Sequence, residues 1–189
     1  MPDPHPPYRI GPETERLLLR AARVDDAEAM YALNTDPDVM RYTHEPMPAS
    51  LGEMRARIAS YPDFERHGFG RWLCVDKVSG RVIGFAGLKH LSDLGEVDLG
   101  YRLLPAYWGR GLATEAARAC VEFGFRTLGL ESIIGLVLPD NAASRRVLEK
   151  VGMRLEGRLR YDGVPCLRYR RARDTGRSGR CRAAGERGR

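Results

Sequence analysis

Residues Asp98–Gly124 read DLGYRLLPAYWGRGLATEAARACVEFG, and this stretch decides the architecture. Its first part alternates apolar and polar positions as a strand does. Its last part spaces Leu112, Ala116, Cys120 and Phe123 at helical intervals, with Ala113, Ala117 and Val121 beside them. Between the two, Trp108-Gly109-Arg110-Gly111-Leu112-Ala113 holds two glycines and an alanine in six positions, so little side chain covers the backbone where the helix begins. The first N–H groups of a helix have no intrahelical partner and carry the positive end of its macrodipole, which makes so bare a junction a natural phosphate site. No G-x-x-x-x-G-K-[ST] P-loop is present, and the glycine spacing is not the G-x-G-x-x-G of a dinucleotide fold. A tight strand-to-helix turn packed through small residues would use the same six positions, and this fragment alone does not separate the two readings.

Outward from that stretch the pattern is regular. Arg16–Arg20 reads as a first strand, and Asp25-Asp26 starts a helix carrying Ala29, Met30 and Leu33 that ends near Asn34, before Asp36-Pro37. Ser50-Leu51-Gly52-Glu53 matches a capping box ahead of a second helix with Leu51, Met54, Ile58 and Tyr61 on one stripe. Trp72–Val75 and Val82–Leu88 flank the polar turn Asp76–Gly80 as a hairpin, and Glu96–Leu103 is the strand that enters the glycine loop. Gly129 is placed to end the long helix. Ser132–Leu138 is a near-continuous apolar run, as expected of a strand covered on both faces. Asn141 caps a short helix stopped by Gly152, and Met153–Leu159 is a further strand. Cys166–Arg170 is a poor strand candidate, because Arg168, Arg170 and Arg171 leave it few apolar positions.

The chain has 189 residues with 43% hydrophobic content, enough for one domain with a true core. Cys74, Cys120, Cys166 and Cys181 are far apart, and His5, His44, His67 and His90 show no ligand spacing, so no disulfide framework and no metal site is expected. Each histidine is expected at the surface or in a loop. The Pro-rich start lacks an apolar h-region and no run of 18 apolar residues occurs, so neither a signal peptide nor a membrane span is expected, and the cytoplasm is the expected compartment. Net charge is +6, of which +4 falls in the Arg-rich segment from Ala172 to Arg189. That segment has no large apolar residue and is expected to be disordered, while residues 1–12 are expected to form a loose arm. Nucleic-acid contact, if any, would fall to this basic tail.

The stretch 98–124 resembles the acetyl-CoA motif of the GNAT N-acetyltransferases, [Q/R]-x-x-G-x-[G/A], with Gly111 and Ala113 at its last two fixed places and Trp108 at the first. The longer string GYRLLPAYWGRGLATEA resembles the RimJ/RimL branch, where Trp is frequent at that first place. Asn141-Ala142-Ala143-Ser144-Arg145-Arg146-Val147-Leu148-Glu149-Lys150-Val151-Gly152-Met153 resembles the N-x-x-[A/S]-x-x-[L/V]-[Y/L]-E-K-x-G-F signature of the family's later helix. The resemblance spans residues 14–171. It implies an α+β fold with a mixed, mostly antiparallel central sheet flanked by about four helices, a flexible arm at 1–13, a catalytic domain at 14–171 and a tail at 172–189.

It also implies a reaction. A carboxylate on the strand before the glycine loop deprotonates an amine, and backbone groups of that strand hold the thioester. Glu96 and Asp98, two apart and on one strand face with Gly100, compete for the base; both being merely solvated is the bland alternative. Tyr101, Arg102 and Leu103 on that strand, the loop residues Trp108, Gly109, Arg110, Gly111, Leu112, Ala113 and Thr114, and Asn141 and Ser144 on the later helix are the implied acetyl-CoA contacts. Arg145 and Arg146 are lesser candidates for the phosphates, and Trp108 is expected to anchor in the core. Many members place a tyrosine general acid where this chain has Leu148, and Ser144 is the substitute implied by the RimJ/RimL branch. Cys120, on the inward stripe, is expected to be inert, so transfer is direct, in a ternary complex. The two helices after the first strand would wall the acceptor site, with the loops 34–50 and 61–70 and the segment after Leu159 setting the acceptor. That acceptor is a small-molecule amine or a protein N-terminus, and the chain is a monomer or a homodimer. The competing reading is a non-catalytic acyl-CoA-binding regulator that contacts RNA through its tail.

Overall fold

The computed structural model describes residues 8–43 and 45–174. Eight strands form one sheet: β1 (Ile10–Glu13), β2 (Leu17–Arg20), β3 (Arg71–Asp76), β4 (Val82–Leu91), β5 (Glu96–Leu103), β6 (Ser132–Val137), β7 (Arg154–Tyr161) and β8 (Val164–Ala172), in the order β1-β2-β3-β4-β5-β6-β8-β7. Every neighbouring pair is antiparallel except β5 and β6, which are parallel. Six α-helices lie among the described residues, α1 (Ala27–Thr35), α2 (Pro37–Met40), α3 (Leu51–Ala59), α4 (Asp63–His67), α5 (Leu112–Arg126) and α6 (Ala142–Lys150). The α+β class and the mostly antiparallel sheet expected from the sequence are present, and four of the helices have nine or more residues.

Local chemistry sets these elements. Ser50 Oγ accepts from Glu53 N at 3.1 Å to start α3, but the Glu53 carboxylate reaches Ala49 N, one residue further back than a capping box requires. Asn141 Oδ1 accepts from Ser144 N at 3.0 Å and starts α6 as expected. Helix α5 buries Leu112, Ala116, Ala117, Cys120 and Val121 against the sheet. It lies so close there that a Cβ on Gly124 would sit 2.7 Å from Ile133 Cδ1. Its regular part stops at Arg126, three residues before Gly129, which takes the left-handed φ of 68° in the following turn.

Three expectations are corrected. Residues 10–13, expected in a loose arm, form β1; Tyr8 O accepts from the buried Trp72 indole N–H at 2.7 Å, and a Cβ on Gly11 would be 2.6 Å from the Trp72 ring. The apolar surface that orders this segment belongs to a residue some sixty positions away, so no local pattern announces it. The poor candidate 166–170 lies inside β8, a strand between β6 and β7. Leu167 and Tyr169 point inward, while Arg168 and Arg170 share a face with Glu96 of β5 and Glu156 of β7 and pair with both at 2.5–3.0 Å. Finally, His67 lies in α4 and His90 in β4, half-buried and stacked with ring centroids 4.7 Å apart. His5, His44, the Pro-rich residues 1–7 and the tail from 175 onward lie outside the described residues.

The start of the chain is held to α5 by one carboxylate. Glu115 accepts from Thr14 Oγ1 at 2.6 Å, Arg16 N at 2.9 Å and Arg16 Nε at 2.6 Å, with 18% of its side chain exposed. Burial raises its pKa, but these hydrogen bonds from Thr14 and Arg16 outweigh that and leave it below the usual range. Glu115→Gln should therefore cost about 1–3 kcal/mol in denaturant unfolding at neutral pH. Because the folded pKa is depressed, that contribution is present above the unfolded pKa and is lost as pH falls through the folded one. A cost that does not change with pH would contradict the assignment.

Candidate active site

The parallel pair is the opening in the sheet. The register of β5 and β6 joins Asp98 to Ile134, and beyond that point a cleft of about 810 Å³ enters between them, lined by Leu99–Leu103 on one side and Leu136–Leu138 on the other. Where the strands part, β6 would be left with an unmatched N–H at Leu136. Asp98 Oδ1 accepts it at 3.1 Å. The other carboxylate oxygen faces Arg71 Nη2 at 3.3 Å. Asp98 is 6% exposed, and burial raises its pKa above the ordinary aspartate value against the opposing pull of Arg71 and the Leu136 N–H. A carboxylate so placed gives up its proton less readily than a solvated one and holds an abstracted proton better.

Glu96, its competitor, is elsewhere. Its carboxylate pairs with Arg168 at 2.7 Å and Arg170 at 2.5 Å and does not line the cleft. The alternative that both carboxylates are merely solvated is corrected as well: one is buried at the strand parting, the other half-buried in an ion-pair network.

The glycine loop forms the far end of the cleft. Gly109 (φ 72°) and Gly111 (φ 79°) are both in the left-handed region, a conformation side chains rarely adopt. An added Cβ would meet nothing within 4 Å at Gly109 and only Arg16 Nη2, at 3.7 Å, at Gly111. The loop is thus glycine because of its backbone turn and leaves open space above it. Gly111 is the N-cap of α5 and no side chain caps that helix, so the N–H groups of Leu112, Ala113 and Thr114 are free to meet a ligand at the cleft. That bare, uncapped end fits a diphosphate.

Trp108 is 49% exposed, not in the core, and its indole N–H donates to Leu103 O at 2.7 Å, so it braces the loop against the end of β5. Arg110 stacks on Tyr107 at 5.4 Å and does not line the cleft. Of the later arginines, Arg146 lines it, while Arg145 Nε donates to Tyr169 Oη at 3.3 Å.

Ser144 and Asn141 line the cleft from α6. Tyr101 reaches Ser144 from β5: its hydroxyl donates to the Ser144 carbonyl at 2.9 Å and lies 3.0 Å from Ser144 Oγ. Burial pushes the Tyr101 pKa up, so it stays a protonated phenol. Leu148, where many GNAT members have tyrosine, is buried at 1% exposure. Cys120 is likewise fully buried with its pKa driven up by burial, hence inert as a nucleophile.

Sequence reasoning named Arg102 as a cofactor contact but missed its neighbours Arg71 and Glu45. Arg71 of β3 and Arg102 of β5 both lie over the Phe85 ring, at 5.4 and 5.2 Å, and Glu45 bridges them. Arg102 also donates to Asn34 Oδ1, so its side chain faces α1 and not the glycine loop. The signal was Gly100: a Cβ there would be 2.7 Å from Arg71 Nη2, and a glycine inside a strand marks such a close approach. Of the expected acceptor segments, the first contributes Asp38, Val39, Tyr42, Thr43, Glu45 and Pro46 to the cleft, the last contributes Tyr161, Asp162, Val164 and Cys166, and 61–70 contributes nothing. Among the described residues no group of three or more His, Cys, Asp or Glu side chains is arranged to hold a metal ion, and no helix is long and apolar enough to cross a membrane.

The model of the acetyltransferase (GNAT) domain matches residues 16–154. An uncharacterized N-acetyltransferase, YoaA, from Bacillus subtilis is 34% identical over 153 residues, covering 78% of this chain and 85% of its own length. The crystal structure of a ribosomal-protein-S5-alanine acetyltransferase from Vibrio fischeri superposes with a TM-score of 0.74 at 18% identity, over 86% of this chain and 96% of that one. A spermidine N-acetyltransferase from Vibrio cholerae, solved with CoA and spermine, does so at 0.70 and 21% identity, over 83% and 95%.

Proposed function

The chain belongs to the GNAT family of acetyltransferases, and from that premise we propose that it transfers acetyl from acetyl-CoA directly to a primary amine, with Asp98 as base and Ser144 as the group that meets the departing thiolate. One observation carries the reading: Asp98, the uncapped glycine loop and Ser144 all open onto one cleft between β5 and β6. The diphosphate would lie on the N–H groups at 112–114, with Gly109 and Gly111 leaving room for it, and the pantetheine arm along Tyr101–Leu103 with Asn141 nearby. The RimJ/RimL-like string at 100–116 and the likeness in fold to the S5-alanine enzyme support a peptide N-terminus as acceptor; the likeness to the spermidine enzyme supports a small amine. The catalytic domain so assigned runs from β1 through β8.

The chemistry follows from the positions. Asp98 takes a proton from the bound ammonium, directly or through water, freeing the nitrogen lone pair. The nitrogen attacks the thioester carbonyl, the C–N bond forms as the nitrogen releases its second proton to water, and the C–S bond breaks. Ser144 donates a hydrogen bond to the sulfur as negative charge develops there, and water protonates the thiolate through that hydroxyl. Tyr101, kept protonated by burial, donates to the Ser144 carbonyl and lies 3.0 Å from Ser144 Oγ, and so positions that serine.

Ser144→Ala should lower kcat about tenfold, the worth of one hydrogen bond to a developing charge, with the Kd for acetyl-CoA nearly kept. Tyr101→Phe should slow turnover in the same sense, and the double variant should be no slower than Ser144→Ala. Steady-state rates beside calorimetric Kd values check this. Fully additive losses would remove Tyr101 from the pair.

A further inference from the structure

The acceptor side of the cleft carries an arrangement that proton abstraction by Asp98 does not require. Arg71 and Arg102 are brought together on one aromatic ring, Phe85, which is the cross-strand partner of Arg102. Two cations held this close repel each other and need an anion. That anion is Glu45, with Oε1 3.4 Å from Arg71 Nη1 and Oε2 3.1 Å from Arg102 Nη2. Glu45 belongs to no helix or strand and its side chain is 54% exposed, whereas Arg102 is 10% exposed. The arginines thus belong to the sheet, and their counter-ion is a half-exposed residue of a connecting segment.

Two further facts say that this anion place is larger than Glu45 fills. Arg71 Nε is buried with no hydrogen-bond partner. Lys89 lines the same cleft, and both Glu45 and Asp98 feel its charge. Asp38 and Asp162 also line the cleft, but the carboxylates that pair with Arg71 and Arg102 are Glu45 and Asp98.

We propose that the Arg71–Arg102 pair is an anion subsite for the acceptor, which Glu45 occupies as a stand-in, and that the acceptor is an amine bearing a carboxylate a few bonds from its nitrogen. The short spacing follows from Asp98 Oδ2 lying 3.3 Å from Arg71 Nη2: a nitrogen served by Asp98 has the guanidinium as its neighbour. This deepens the acetyltransferase reading and rests on it. A free amino acid and a polypeptide with an acidic first residue present the same chemistry.

The test uses the full chain with aspartate, its neutral diamide, spermidine, and two peptides that differ only in an N-terminal Asp or Lys. Aspartate or the Asp peptide should exceed the diamide and spermidine in kcat/KM by at least about tenfold, the worth of one charge-assisted pair. Which of those two leads identifies the source. Glu45→Gln removes the competitor and should lower KM for the preferred anionic acceptor about threefold or more; a residue that merely braces the site would raise it. In parallel, calorimetry on CoA-saturated protein should show N-acetylaspartate binding at least about tenfold tighter than its diamide, a readout that needs no turnover. Preference for spermidine or the diamide, equal binding of the two acetylated probes, or a raised KM in Glu45→Gln overturns the subsite. If no amine is acetylated but N-acetylaspartate binds as expected, the catalytic reading fails and the subsite stands.

Discussion

Gly111→Glu is expected to leave a folded protein that binds acetyl-CoA at least about a hundredfold more weakly. Two effects add at this position. Residue 111 is the N-cap of α5 with φ 79°, so any side chain there is strained by roughly 1 kcal/mol. The larger effect is charge: a carboxylate within about 4–6 Å of a diphosphate costs about 3–4 kcal/mol per unit charge near a protein surface. The protein itself has room for the side chain, since an added Cβ meets nothing closer than Arg16 Nη2 at 3.7 Å, so the variant should fold. Gly111→Ala separates the effects, because it carries the strain without the charge and should weaken binding less than tenfold. Calorimetry on both variants, with melting curves to verify folding, measures this. If glutamate at 111 bound acetyl-CoA as tightly as glycine does, the diphosphate would not lie at the start of α5.

The strand, loop and helix at 98–124 were legible because the period changes from 2 to 3.6 across the glycines, and nothing distant is needed to read that. The caps at Ser50 and Asn141 are local in the same way. What was not legible depends on partners far along the chain. The arginines of β8 look hostile to a sheet until Glu96 and Glu156 stand beside them. Residues 10–13 look shapeless until Trp72 lies under them. The site divides similarly. Periodicity placed Glu96 and Asp98 on one face and could go no further, because what separates them is the parting of β5 from β6 and the position of Arg168 and Arg170. The contact of Tyr101 with Ser144 crosses 43 positions and the Glu45 bridge 26 and 57, so sequence spacing carries no trace of either.

That separation leads to the second large effect. Asp98→Asn should lower kcat/KM by about 10²–10⁴, the usual worth of a general base, with acetyl-CoA affinity retained. The amide keeps an acceptor for the Leu136 N–H and fills the same volume but turns its NH2 toward Arg71 Nη2, so melting curves beside the kinetics separate lost proton transfer from lost pairing. In the wild-type enzyme, turnover should fall as pH drops through the Asp98 pKa, above the ordinary aspartate range because burial outweighs Arg71. Stability should move the opposite way. A carboxyl whose folded pKa is raised contributes stability below the unfolded pKa, and that contribution is lost as pH rises through the folded one. Wild type should therefore lose stability relative to Asp98→Asn across that window and run parallel to it above. Glu96→Gln should give the reverse pattern, because its carboxylate joins β5 to Arg168 and Arg170 of β8 and stands outside the cleft. It should lower the melting temperature while changing kcat/KM far less than Asp98→Asn does. Were the two variants to exchange these patterns, Glu96 would be the base, and the opening between β5 and β6 would not be where the amine reacts.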